Sequence, residues 1–310
     1  VTAPLRPPID PELVAHLPAE PPEQAFMADE AGLVRLRAAM AEYEENPDEV
    51  AAATGIRIDE VDLRGVRSMV IRPAGGLGDR PAVLNVHGGG LVAGSHRSVL
   101  TVNALLAREL GCVTVVPDYR LAPEHRYPAA LNDVEAVWNA LVAGEVAGVD
   151  VDRLVVVGGS SGGGLAAALV IRLRRQSRPV PRALALIQPQ LDDRNTEPST
   201  FEWERAPFWD RLSNVYGWSL YLDGAEADAE AAPARAADLT GFPPTFIEIA
   251  QADLFRDEEL TFAARLSRSA VPVEAHLWAG AFHGFDGITT AAVARRALRQ
   301  RTEFLRTYLG

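Results

Sequence analysis

Val155 to Ala168 constrains this chain more than any other stretch. Three β-branched residues, Val155, Val156 and Val157, read as the end of a buried strand, Gly158 to Gly164 as a turn, and Leu165 onward as a helix. Inside the turn lies Gly158-Gly159-Ser160-Ser161-Gly162, a G-x-S-x-G. A side chain on so tight a strand-to-helix turn needs residues without Cβ two places away on both sides, so that backbone can pass close by. The Ser160 hydroxyl is then pushed out above a sheet, toward the N-terminus of the following helix, where a nucleophile would stand. Other glycine-loop chemistries fit less well. A dinucleotide fingerprint has glycine where this run has serine, and a phosphate loop needs a lysine. The chain has no lysine, all 30 basic residues being arginine, which also excludes Schiff-base and serine–lysine chemistry.

Bulk properties narrow the partners. With 310 residues, 48% of them hydrophobic, the chain can bury one large α/β core or two small ones. A formal charge of −12 disfavours nucleic acid, anionic membrane surfaces and strongly anionic substrates. The single cysteine, Cys112, sits in an apolar strand pattern and reads as a small core residue; neither a disulfide framework nor a cysteine-rich metal site is available. No apolar run is long enough for a membrane span, and the cytoplasm is the expected location.

Along the chain, a proline-rich lead is followed by a helical pattern over Ala25 to Glu45. From Gly55 the period changes to two, predicting a pair of antiparallel edge strands, and Ala82 to Val86 is a continuous apolar strand ending in His87-Gly88-Gly89-Gly90. Strands and helices then alternate. Helices are expected at Ser98–Glu109, Ala129–Val142, Leu165–Arg175, Glu258–Ser267 and about Thr290–Tyr308. The intervening strands are Cys112–Pro117, Leu154–Val157, Ala183–Gln188, Thr245–Ala250 and Val273–Leu277. Repeated βα units predict an α/β fold with a mostly parallel, doubly wound sheet and its site at the carboxyl ends of the strands. One insertion, Asp192 to Gly241, carries seven of the chain's 21 aromatic residues between Phe201 and Tyr221. It reads either as a hydrophobic surface over the site or as ordinary packing of a small helical subdomain, and Ala225 to Ala237 as lid or linker. Within it Trp203, Phe208 and Trp209 are candidates for the substrate pocket.

A serine nucleophile needs a base, an orienting carboxylate and an oxyanion site. Of six histidines, His283 lies in a glycine-flanked loop after the last strand, on the same rim as Ser160. His276 reads as a structural residue within a strand, His16 and His125 lack chemical context, and His96 is placed with the pocket lining. Asp253 is the first carboxylate beyond strand Thr245–Ala250, and the order Ser160, Asp253, His283 is that of α/β-hydrolases. Gly88, Gly89 and Gly90, with the N–H of Ser161, are the candidate oxyanion donors, and His87 is expected to hold their loop.

These residues resemble a known family. His87-Gly-Gly-Gly90, Asp118-Tyr-Arg-Leu-Ala-Pro-Glu124, the Ser160 turn, Asp253-Leu-Phe-Arg-Asp-Glu258 and His283-Gly-Phe285 together look like the hormone-sensitive-lipase-like carboxylesterases, nearest their bacterial branch. The resemblance implies an α/β-hydrolase core of eight strands at residues 51–191 and 241–310. It also implies a helical cap made of residues 1–50 and an insertion at 192–240. Gly89 and Gly90 would be the foremost oxyanion donors. The chain departs from the family pattern at Gly159, where an acidic residue or threonine is usual, and at Gln188, where tyrosine is common. The expected activity is hydrolysis of small to medium uncharged esters through an acyl-enzyme, with no cofactor and no metal. A homodimer is compatible with this reading. Amidase, lactonase or thioesterase action would use the same residues, and a non-catalytic receptor on this fold would be expected to have lost the histidine.

Overall fold

Short apolar runs separated by amphipathic segments of helix length build a single sheet between helical layers. The computed structural model describes residues 6–17, 26–75 and 78–310. The strands are β1 (Ile56–Leu63), β2 (Val66–Pro73), β3 (Arg80–Val86), β4 (Val113–Pro117), β5 (Val149–Gly159), β6 (Leu184–Ile187), β7 (Thr245–Ala252) and β8 (Val273–Phe282). Their spatial order is β1-β2-β4-β3-β5-β6-β7-β8. β1 and β2 form the expected edge hairpin, β2 also runs antiparallel to β4, and all other neighbours are parallel. The alternation of elements anticipated this mostly parallel sheet, and the family resemblance its eight strands.

Central parallel strands are covered on both faces, so they must be apolar on both. Every residue of β4 and of β6 is buried. Alternate side chains go to opposite layers. Val83, Val155, Val157, Ala185 and Phe246 pack with Phe304 and Leu305 of the last helix, Ala292–Leu309. Leu84, Val156, Leu184, Leu186 and Ile249 face the layer containing helices Ala129–Val142, Ser161–Arg175 and Arg256–Arg268. Cys112 is fully buried in the first layer, and burial pushes its thiol up to about 12.

Several boundaries differ from the sequence pattern. The helical stretch read over 25–45 is a helix at Glu30–Ala41, capped by the Asp29 carboxylate, and a second helix follows at Pro47–Thr54. Asn46 and Pro47 start that second helix afresh. Part of the proline-rich lead, residues 1–5 and 18–25, lies outside the described residues. The helix expected from Leu165 begins at Ser161, and β8 continues past Leu277 to Phe282. In the insertion, helices occupy Pro198–Glu202 and Arg211–Leu222, while 225–237 is a packed linker. There Ala231 and Ala232 are buried and Glu230 pairs with Arg172 at 2.7 Å.

Candidate active site

The register of the parallel strands decides which side chains can meet. Val86 on β3 pairs with Gly158, Gly159 on β5 with Ile187, Ile187 on β6 with Glu248, and Ala252 on β7 with Phe282. The residues that follow these strand ends, His87, Ser160, Asp253 and His283, therefore emerge along one rim of the sheet.

Ser160 stands at φ +53°, a left-handed conformation that costs a non-glycine residue about 1–3 kcal/mol and persists only where the surroundings enforce it. Its backbone is gripped on both sides. The N–H donates to Ile187 O at 2.8 Å, and its carbonyl accepts from Gly163 N–H at 2.9 Å and Gln190 N–H at 3.0 Å. The flanking glycines are sterically required. A Cβ on Gly158 would lie 2.2 Å from Gly162 O, and one on Gly162 would lie 2.1 Å from Val86 O. At Gly159, by contrast, a Cβ would meet nothing within 4 Å, so this departure from the family pattern is not enforced by packing.

His283 Nε2 lies 3.0 Å from Ser160 Oγ, and its Nδ1 lies 2.7 Å from Asp253 Oδ2. Asp253 is fully buried, with Oδ1 accepting from Phe255 N–H at 3.3 Å, and the Phe255 ring packs edge-on against the imidazole. Burial works against the charged form of His283, but the Asp253 carboxylate, with help from Asp286, outweighs it and raises the pKa above the ordinary value.

The glycine loop abuts the serine. A Cβ on Gly88 would come 3.1 Å from Ser160 Cβ; on Gly89 it would strike Ala93 O at 1.9 Å, and on Gly90 the Trp209 ring at 2.4 Å. Gly89 and Gly90 both have positive φ. His87 holds this loop as expected: its Nδ1–H donates to Gly88 O at 2.8 Å, and its ring stacks on Tyr119 at 4.2 Å. Burial lowers its pKa to about 4, so it is neutral. Tyr119 donates its phenolic hydrogen to His87 O at 2.8 Å, tying the Asp118–Glu124 segment to the loop.

The aromatic insertion closes over these elements. Trp209 covers Gly90, and Phe26 of the N-terminal region packs edge-on against it at 6.4 Å. Phe208 stacks on Phe282, the residue before His283, at 5.1 Å, and Trp203 leans on Phe208 at 5.3 Å. Trp203, Phe208 and Trp209 are all buried, and of the three Trp209 stands against the glycine loop itself. His96 departs from expectation. It is a buried ring between two carboxylates, Nε2 at 3.1 Å from Glu60 and Nδ1 at 3.0 Å from Asp118, and with both nitrogens so engaged it is not a pocket residue.

Comparison with known proteins gives the family. Residues 83–287 match a family model described as the alpha/beta hydrolase fold. The chain is 32% identical to "Esterase LipI" of Mycobacterium tuberculosis over 248 residues, covering 73% of this chain and 76% of that protein. Among solved structures it is similar to "Bacterial Heroin Esterase", with TM-score 0.85, 32% identity and coverage of 97% and 98% of the two chains. Esterase LipW from Mycobacterium marinum superposes with TM-score 0.88 at 31% identity, 98% of each chain being covered. The chain belongs to the hormone-sensitive-lipase-like α/β-hydrolases. Sequence reasoning about this hydrolase missed Phe255, Phe282 and Tyr119, which shape the site through ring packing; Tyr119 and Phe255 lie inside quoted motifs, whereas Phe282 carried no such signal. Among the described residues no helix is long and apolar enough to cross a membrane, and no cluster of His, Cys, Asp or Glu is arranged to hold a metal ion.

Proposed function

We propose that the chain is a serine carboxylesterase acting on small to medium uncharged esters through an acyl-enzyme. The observation that carries this reading is the unbroken line from Ser160 Oγ through His283 to the buried Asp253 carboxylate. His283 Nε2 takes the Ser160 proton as Oγ attacks the ester carbonyl carbon, and Asp253 stabilises the resulting imidazolium. The N–H groups of Gly89, Gly90 and Ser161, with Gly88 at the base of the loop, surround the tetrahedral oxyanion. His283 then returns the proton to the leaving alcohol. A water deprotonated by the same imidazole attacks the acyl carbon, releasing the acid and restoring Ser160.

The helices at Glu30–Ala41, Pro198–Glu202 and Arg211–Leu222 are read as one cap. Met27 N–H donates to Ser213 Oγ at 2.6 Å and Phe26 N–H to Asp210 at 3.2 Å, which supports their belonging together. An apolar cap lining and a charge of −12 favour neutral substrates, and the cytoplasm is the proposed setting. The test is S160A assayed on p-nitrophenyl acetate: turnover is expected to vanish while the fold, followed by circular dichroism, is kept. Undiminished hydrolysis by that variant would end the reading.

A further inference from the structure

Gln188 follows β6 with φ +48°, another left-handed position held by a non-glycine residue. On either side of it the chain grips the serine turn, through Ile187 O and Gln190 N–H. Its side chain reaches the other way. Oε1 accepts from the N–H of Gly284, the residue after His283, at 2.6 Å, and Nε2 donates to Glu248 Oε1 at 3.0 Å while lying 3.4 Å from Asp286 Oδ1. The partners dictate the orientation of this amide: a backbone N–H only donates and a carboxylate only accepts. Behind it, Arg301 of the last helix donates to Glu248 Oε1 and Asp286 Oδ2, each at 2.8 Å. Gly284 itself is at φ +81°, a flexible joint directly beside the imidazole-bearing residue.

We propose that Gln188 is a positioning residue for the reaction. By holding Gly284 N–H it fixes the His283 loop to the strand end that holds Ser160, and so maintains the 3.0 Å approach of Nε2 to Oγ. The proposal rests on the reading of Ser160 and His283 as nucleophile and base.

Wild type, S160A, Q188M and Q188E are compared on p-nitrophenyl butyrate across pH. Rates of the serine-bearing proteins are referred to sites titrated to completion with diethyl p-nitrophenyl phosphate, so misfolded molecules do not count. An active wild type beside a dead S160A establishes the nucleophile independently of any result at Gln188. Q188M keeps the unbranched side chain and removes both polar ends. Its kcat is expected to fall about 10- to 100-fold with KM within about twofold, since the binding surface is intact and only alignment is lost. Q188E keeps the acceptor for Gly284 and, when protonated, a donor to Glu248. It is expected to recover most of the lost activity at the acid end of the profile. It then loses that activity as its carboxyl ionises among Glu248, Asp286, Arg301 and His283. A wild-type kcat in Q188M overturns the proposal, and so does a defect confined to KM. If Q188M gives no titratable sites, Q188E decides: an added alkaline loss supports the proposal, and a profile superimposable on that of wild type overturns it.

Discussion

Of the imidazoles held against carboxylates, one lies at the hairpin edge of the sheet and another at its carboxyl rim. His96 is flanked by Glu60 and Asp118, and those acids are themselves paired with Arg97 and Arg67. His283 has one carboxylate, Asp253, and a hydroxyl on its other nitrogen. A carboxylate beside a histidine is therefore not what sets a base apart. The difference lies in the second nitrogen: at the edge it faces another acid and welds the hairpin to the loop after β4, while at the rim it remains available to receive a proton.

Substitution separates the two most sharply. H283A is expected to lower kcat/KM by about 10^4-fold or more on p-nitrophenyl esters, with little change in KM. H96A is expected to leave kcat near the wild-type value. It would lower stability, seen as a lower Tm, because a buried ring is removed and its link between Glu60 and Asp118 is lost. An H96A enzyme as inactive as H283A would break the comparison. Next in size is G89A: the added Cβ strikes Ala93 O, distorting the loop proposed to hold the oxyanion, and kcat is expected to drop about 10^2- to 10^3-fold.

The pH dependence sharpens the contrast further. The pKa of His283 is raised in the folded state, so its contribution to stability is fully present below about pH 6.5 and lost as pH rises through the folded value. Catalysis needs the neutral ring, so kcat/KM rises through that same window while the stability contribution falls. D253N removes the attraction that opposes burial, and its acid limb is expected at lower pH than that of wild type. The smallest effect is on selectivity. W209A, next to Gly90, should change the acyl-length profile of p-nitrophenyl esters by a few-fold, whereas W203A, one ring further out, should change it less; identical profiles would remove Trp209 from the pocket wall.

The rim was legible because its constraints are local. Glycines two places either side of Ser160 announce the turn, and Asp253 and His283 each come soon after a recognisable strand. What escaped notice depends on distant partners. Nothing near His96 points to Glu60, 36 residues away, and so its proximity to His87 suggested a pocket role. The run Gly162–Gly164 reads as a turn by propensity. It is helical because Val86 O, Pro189 and Gln190 O approach so closely that only glycine fits, tertiary packing overriding the local preference. β8 looked finished at Leu277 because Ala279-Gly-Ala interrupts its pattern. Gly280 is there to admit Asp10, whose N–H donates to its carbonyl at 2.9 Å, so the strand runs on to Phe282 and delivers His283 directly.

The buried thiol of Cys112 has a practical consequence. It is the chain's single sulfhydryl, it has no exposed surface, and it lies in the apolar layer that Leu106, Leu110, Phe304 and Leu305 share. Any maleimide or disulfide reagent that marks the native protein has waited for this layer of helices to open, so the labelling rate is a clock for opening on this side of the sheet, already present in the natural sequence.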